Sequence, residues 1–202
     1  MEDYYDNELT HYPYSYDAGN NHLVYVGEVY NNRYRVCRKL GFGATSTVWL
    51  VKDIAARRYL AMKVLSAMAY SGVADLYELE ILQYLAMANP RHPGHAHTLQ
   101  LLDHFDHVGT GGTHRCLIFP VMGESLVTYV QKFRDNCVPA YILKRLTKQL
   151  LQAIDYAHSH GVIHTDIKPE NIMIRMKDES VIANRYIPTT EGCTDPEGLE
   201  PE

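Results

Sequence analysis

The stretch HGVIHTDIKPENIMIRMKD, His160–Asp178, decides how the rest of the chain is read. Upstream of it, AYILKRLTKQLLQAIDYAHSH places Ile142, Leu146, Leu150, Ala153 and Ala157 three or four residues apart, with Leu143, Leu151 and Ile154 alongside. That is the period of a helix with one apolar stripe. Gly161 stands where a left-handed residue commonly ends a helix. VIHTDIKPEN then reads as a loop and IMIRMK as a short strand. Within the loop, Asp166, Lys168 and Asn171 follow one another around Pro169. A carboxylate at Asp166 can accept or orient the proton of an attacking hydroxyl. The ammonium of Lys168 can offset charge on a transferring phosphoryl group. The amide oxygen of Asn171 can ligate Mg2+. A polar loop capping a helix explains one or two of these residues, but not all three in this order with an apolar strand directly behind them.

Working outward, YRVCRKL, TVWLVKD and RYLAMKVL are short β-type runs separated by LGFGATS and IAA, which gives a three-stranded antiparallel meander. VADLYELEILQYLAMA carries Leu76, Leu79, Leu82 and Leu85 on one stripe with Ile81 beside them, and a helix is expected from about Val73 to Met87, stopped by Asn89-Pro90. After the loop NPRHPGHAH, LQLLDHFDHV and THRCLIFPVM read as two more strands joined across GTGGT, a turn of hairpin type. SLVTYVQKF follows as a short helix. The order is five strands with one helix after the third, then a helical region beginning near Gly123.

Two further motifs fit phosphate chemistry. In LGFGATSTVWL, Gly41 and Gly43 lie in a turn between strands, where missing side chains let the backbone approach phosphates. Such a turn is equally common as a plain hairpin. In YLAMKVL, Lys63 sits mid-strand among apolar residues. It must either snorkel at an edge or pair with an anion, because an unpaired buried ammonium is costly. Glu78 lies beside the apolar stripe of the next helix and Glu80 toward solvent, so Glu78 is the candidate partner, with both glutamates as surface charges the alternative. His92, His95, His97, His104 and His107 form a loose group that is read as packed or solvated rather than as a metal site.

Composition excludes several classes. Net charge is −5, which disfavours general nucleic-acid binding. The four cysteines, Cys37, Cys116, Cys137 and Cys193, have no CxxC or zinc spacing and read as free thiols of a reducing compartment. The acidic, tyrosine-rich start MEDYYDNELTHYPYSYD has no signal-peptide pattern, and no run nears the roughly 18 apolar residues of a membrane span. A cytoplasmic or nuclear location is expected, with no membrane partner and a monomeric state.

Taken together, these motifs in this order resemble eukaryotic-type protein kinases, and most closely the SR-protein kinase family in its fungal form. STVWLVKD, NPRHPGHAH followed by LQLLDHFDH, THRCLIFPVMGESL and HTDIKPEN with Thr165 carry the resemblance, which covers roughly His22 to Lys177. It implies that Leu40, Gly41, Gly43, Ser46 and Val48 cover ATP, with Ser46 where a third glycine is usual. It implies that Ala61 lines the adenine pocket, that Lys63 holds the α and β phosphates and that Glu78 fixes Lys63. Phe119 would guard the back of the pocket. Pro120 and Met122 would form the hinge; Pro120 has no N–H to offer, so Met122 must supply it. Thr165 replaces an arginine that could bind a phosphate on the activation loop, so activity without such phosphorylation is expected.

The resemblance implies an α+β kinase-like fold: a five-stranded antiparallel small lobe with one helix, and an incomplete, mainly helical large lobe. The expected divisions are a flexible arm at 1–22, the small lobe and hinge at 23–122, a partial large lobe at 123–177 and a polar tail or spacer at 178–202. No Asp-Phe-Gly metal-binding segment is found from Arg175 to Glu202, so the chain is read as truncated before it. The implied activity is ATP- and Mg2+-dependent phosphoryl transfer to serine of arginine/serine-rich proteins. The alternative is a catalytically dead nucleotide-binding or interaction module. The long helix, lacking helices to pack on, is expected to leave its stripe partly in water.

Overall fold

The computed structural model describes residues 22–43, 45–67, 77–109, 111–176 and 182. The meander is present as β2 (Tyr34–Gly43), β3 (Ser46–Asp53) and β4 (Arg58–Leu65), and the later hairpin as β5 (Asp103–Gly109) and β6 (Gly112–Pro120). A sixth strand, β1 (Val29–Tyr30), adds to the edge, so the sheet order is β1-β2-β3-β4-β6-β5, with antiparallel pairing throughout. The signal for β1 lay in Asn31-Asn32. Both have positive φ, at 49° and 52°, and Arg33 N–H closes the turn on Tyr30 O at 3.0 Å. Two left-handed residues at the centre of a tight turn match strand twist, and asparagine tolerates that conformation.

Register assigns the faces. Val48 lies opposite Lys63 and Leu50 opposite Ala61, while Ala61 and Lys63 lie opposite Phe119 and Leu117. Because side chains alternate along a strand, these residues share one face. Trp49, Met62 and Ile118 share the other. That outer face is closed by Val24 and Tyr30, both buried, so the chain from His22 to Tyr30 is packed onto the sheet. Residues 1–21 of the expected arm lie outside the described residues.

Helix α1 (Glu78–Ala88) ends at Asn89 as expected; residues 73–76 of its expected start lie outside the described residues. Leu79 is buried beneath the sheet, while Ile81, expected on the stripe, is 40% exposed. Strand β5 begins four residues later than LQLLDHFDHV suggests, although Leu102 N–H already bonds Ile118 O at 2.8 Å.

After the sheet, β7 (Met122–Ser125) leads into α2 (Leu126–Val130) and then α3 (Ala140–Ser159). Gly161, at φ 73°, ends α3 with its N–H on His158 O at 3.0 Å, while Val162 N–H reaches Ala157 O at 2.9 Å. These are the two bonds of a Schellman cap. Strand β8 (Met173–Arg175) pairs with β7, so the residues behind the catalytic-type loop return to the link leaving the sheet. Gly123 permits this: a Cβ there would lie 2.8 Å from Ile174 O.

The histidine-rich loop packs on α3. A Cβ on Gly94 would stand 1.9 Å from Gln152 O, so loop and helix backbones touch. Tyr156, fully buried, donates its hydroxyl to Leu85 O, and His92 and His95 ring it with centroids 5.3 and 5.6 Å away. His107 belongs elsewhere, against His22, and His104 lies on the surface 2.9 Å from Gln83 Nε2, so the loose histidine group does not gather in one place. Cys116 and Cys137 are free thiols. Cys37 packs beside Leu50, Val121 and Ile182, and Cys193 lies outside the described residues.

Candidate active site

Lys63 stands on the cleft face of β4, and its Nζ lies 2.6 and 2.8 Å from the two carboxylate oxygens of Glu78. Burial of Leu79 against Leu65, Leu117 and Phe119 sets the rotation of α1 that brings Glu78 to this point. Glu80, expected toward solvent, is on the surface, 3.9 Å from Arg115. Of the two readings for Lys63, the pair is the one observed. Both side chains remain about a quarter exposed (26% and 29%), so a ligand can reach the ammonium.

Above the pair, Gly41 lies opposite Val48 and Gly43 opposite Ser46. A Cβ at Gly41 would meet nothing within 4 Å, leaving open backbone for an anionic group. Phe42 between them is 81% exposed and lies under the Lys39 ammonium, 5.0 Å from its ring centroid. Ser46 is buried, which makes it the least accessible of the residues expected along the phosphates.

Leu40, Val48, Ala61 and Phe119, named from separate motifs, come together in one apolar cluster with Leu65, Leu79 and Leu117. This gives the cleft an apolar roof. Pro120 lies opposite Leu60 at the end of β6, and Met122 opens β7 opposite Arg175, so both occupy the crossing from the sheet to the helical part.

The second group lies on the loop after α3. Asp166 Oδ2 is 3.0 Å from Lys168 Nζ. Asn171 Nδ2 donates to Asp166 Oδ2 at 2.8 Å and to Asp166 O at 3.0 Å. Pro169–Asn171 form a single 3-10 turn, which brings Asn171 back beside Asp166. The Lys168 ammonium, and then the Asn171 amide, hold the Asp166 carboxyl below its ordinary range, so it is ionised at neutral pH. With Nδ2 engaged, Oδ1 of Asn171 is the atom left that could ligate a cation. Thr165 has φ 62°, and Asp166 N–H spans it to His164 O at 2.9 Å. This is the rare positive-φ γ-turn, strained for a β-branched residue. Backbone strain beside a reactive group is a mark of functional loops.

The donor set suits a nucleotide triphosphate with a divalent cation: an apolar roof, open glycine backbone, an anchored lysine and an amide oxygen beside a carboxylate. Among the described residues no group of three or more His, Cys, Asp or Glu side chains could hold a metal by itself.

A twisted sheet carrying a lysine–glutamate pair, joined to a loop of the form Asp-x-Lys-x-x-Asn, defines the protein kinase class. The profile of the protein kinase domain matches residues 34–183, and the chain belongs to that family. Its curated relatives include "Protein kinase dsk1" of Schizosaccharomyces pombe, 41% identical over 87% of this chain and 32% of the relative. "Serine/threonine-protein kinase SKY1" of Saccharomyces cerevisiae is 39% identical, over 81% of this chain and 23% of the relative. "SRSF protein kinase 3" of Homo sapiens is 36% identical, over 86% and 31%. The chain thus spans about a third or less of the length of these relatives. A crystal structure of the kinase domain of PF14_0431 superposes with a TM-score of 0.65 at 26% identity, over 79% of this chain and 44% of that one.

The residues that sequence reasoning missed hold the site rather than line it. Tyr156 ties α3 to α1 through Leu85 O, Gly94 lets the loop after α1 touch α3, and Gly123 lets β8 return to β7. Asp53, fully buried, accepts from Arg33 Nε and Nη2 and from the backbone of Ala55 and Ala56. The two glycines could have been flagged as sites of close backbone approach, and Asp53 as an Asx residue opening the IAA turn; nothing local marks Tyr156.

Proposed function

We propose that this chain carries the nucleotide site and catalytic loop of a serine/threonine protein kinase of the SR-protein kinase type, acting on serines of arginine/serine-rich proteins. The observation that carries the reading is the Asp166–Lys168–Asn171 network, held by 2.8–3.0 Å contacts in a chain that also pairs Lys63 with Glu78. Asp166, ionised at neutral pH, orients the substrate hydroxyl and draws on its proton. Lys168 meets developing charge on the phosphoryl oxygens, and Lys63, kept in place by Glu78, holds the phosphate tail. Leu40, Val48, Ala61 and Phe119 enclose the base, Gly41, Gly43 and Ser46 cover the phosphates, and Met122, freed of competition from Pro120, offers the hinge N–H. ATP supplies the group transferred, with Mg2+ on Asn171. The relatives support the substrate class, and the net charge of −5 is compatible with a basic protein partner. A monomeric protein of the cytoplasm or nucleus is the setting we infer; among the described residues no helix is long and apolar enough to cross a membrane.

The test is transfer of labelled phosphate from ATP to an arginine/serine-repeat peptide, with Asp166→Ala as control. Transfer that falls on the order of 10²–10⁴-fold in the variant supports the reading; equal transfer in both overturns it. A second reading, nucleotide binding without transfer, is favoured by the openness of the Asp166 loop, where the Lys168 and Asp166 side chains are 49% and 59% exposed. It predicts ATP binding that is weak or independent of Mg2+, with no phosphorylated peptide.

A further inference from the structure

Ile182 takes no part in the chemistry above, yet it is 1% exposed. It packs with Leu50 and Val121, and Cys37, Leu40, Tyr59 and Met176 surround that group. These residues come from β2, β3 and β4, from the link between β6 and β7, and from just past β8. Leu50 lies opposite Ala61 and two residues from Val48, and Tyr59 lies two residues from Ala61, so they continue the cleft face. Leu40 packs on both groups: on Ile182's neighbours and on the cluster of Ala61 and Phe119 that forms the roof. Ile182 therefore extends the surface assigned to the nucleotide base, on the side where the chain leaves the sheet.

We propose that Ile182 is a positioning residue: its side chain fills an apolar pocket on the small sheet and, by completing the group on which Leu40 packs, sets the affinity of the nucleotide site. The occupant of this apolar pocket is the chain's own residue 182. The pocket draws on both sides of the crossing, Leu50 and Tyr59 from the sheet and Met176 from beyond β8, so filling it ties the two parts together independently of any ligand. Removing the side chain opens a gap in the group on which Leu40 packs, and close-packed interiors pass such a loss to the next layer. The link to affinity rests on the nucleotide-binding reading above.

The experiment measures binding of a fluorescent N-methylanthraniloyl ATP, with Mg2+, to the 202-residue chain and to three variants. Ile182→Ala is expected to weaken binding roughly five-fold or more, and Ile182→Leu to restore it to within about two-fold. Val36→Ala thins the core on the opposite face of the sheet and is expected to lower the melting temperature without weakening binding. Wild-type affinity in Ile182→Ala, or equal losses in Ile182→Ala and Val36→Ala, overturns the proposal. Hydrogen exchange at the Leu50 and Val121 amides reads docking without nucleotide. If the unaltered chain binds no nucleotide, the kinase reading and the affinity link fail together, while faster exchange in Ile182→Ala still supports docking and unchanged exchange overturns it.

Discussion

Leu117 and Leu151 are the same residue in two settings. Leu117, on β6, is fully buried, whereas Leu151, on α3, is 59% exposed. The contrast holds for their surroundings. The sheet is covered on both faces by residues of this chain, Val24 and Tyr30 on one and Leu79 on the other. On α3 only Tyr156 is buried, and Tyr141, Leu143 and Leu151 are open to solvent. Ile163 and Ile167 in the loop after it are open as well. The candidate site spans this divide: Lys63 and Glu78 belong to the well-packed part, and Asp166, Lys168 and Asn171 to the exposed one. The Lys63–Glu78 pair is therefore more firmly built than the Asp166 loop.

The most direct attempt to break the comparison is a matched pair of truncations. Leu117→Ala is expected to cost about 2–5 kcal/mol, because it opens a cavity in a closed core. Leu151→Ala should stay within about 0.5 kcal/mol, as at an ordinary surface position. Urea denaturation followed by circular dichroism measures both, and equal losses would show that α3 is as well packed as the sheet. Hydrogen exchange sharpens the same point: amides of β3, β4 and β6 should be protected well beyond those of α3.

The junction is the next place to press. Gly94→Ala would place a methyl 1.9 Å from the Gln152 carbonyl oxygen. Neither backbone can yield without parting the loop from α3, so a loss of about 1–3 kcal/mol is expected, together with faster exchange at Tyr156. A variant as stable as the parent would mean that the helical part is not held through this contact.

What the sequence revealed divides along another line, between local patterns and long-range contacts. Local patterns exposed the meander, the hairpin, α3 with its Gly161 cap, and the Lys63–Glu78 pair, because each rests on periodicity or on a residue that must find a partner. The Asp166 loop was legible because three polar residues at set spacing have one economical explanation. Illegible were the contacts that depend on distant segments meeting: Ile182 against Leu50, Tyr156 against Leu85, His22 against Tyr30. Asn31-Asn32 was a local turn signal, overlooked because the two-residue strand before it has no period of its own.

The smallest expected effect tests the sheet's outer cover. Tyr30 donates its hydroxyl to Glu28 at 3.1 Å, so His22 Nε2–H must be the donor in its 3.0 Å contact with Tyr30. That leaves His22 Nδ1 buried, unprotonated and without a partner. A second proton would be placed on that atom, away from water and near His107 and His114; burial, then these two rings, lower the His22 pKa from 6.5 to about 4, with Glu28 opposing. His107 is shifted down for the same reasons. Between these two values the unfolded chain takes up a proton that the folded one refuses, so stability is retained above pH 6.5 and declines as pH falls toward about 4. Replacing His22 by Gln should flatten the dependence of the urea midpoint on pH across that window. Gly109→Ala should do so too, because its methyl would lie 2.3 Å from His22 Nδ1 and displace the ring. If either variant keeps the full slope, His22 is not its source, and the outer face is closed by Val24 and Tyr30 without help from the histidine.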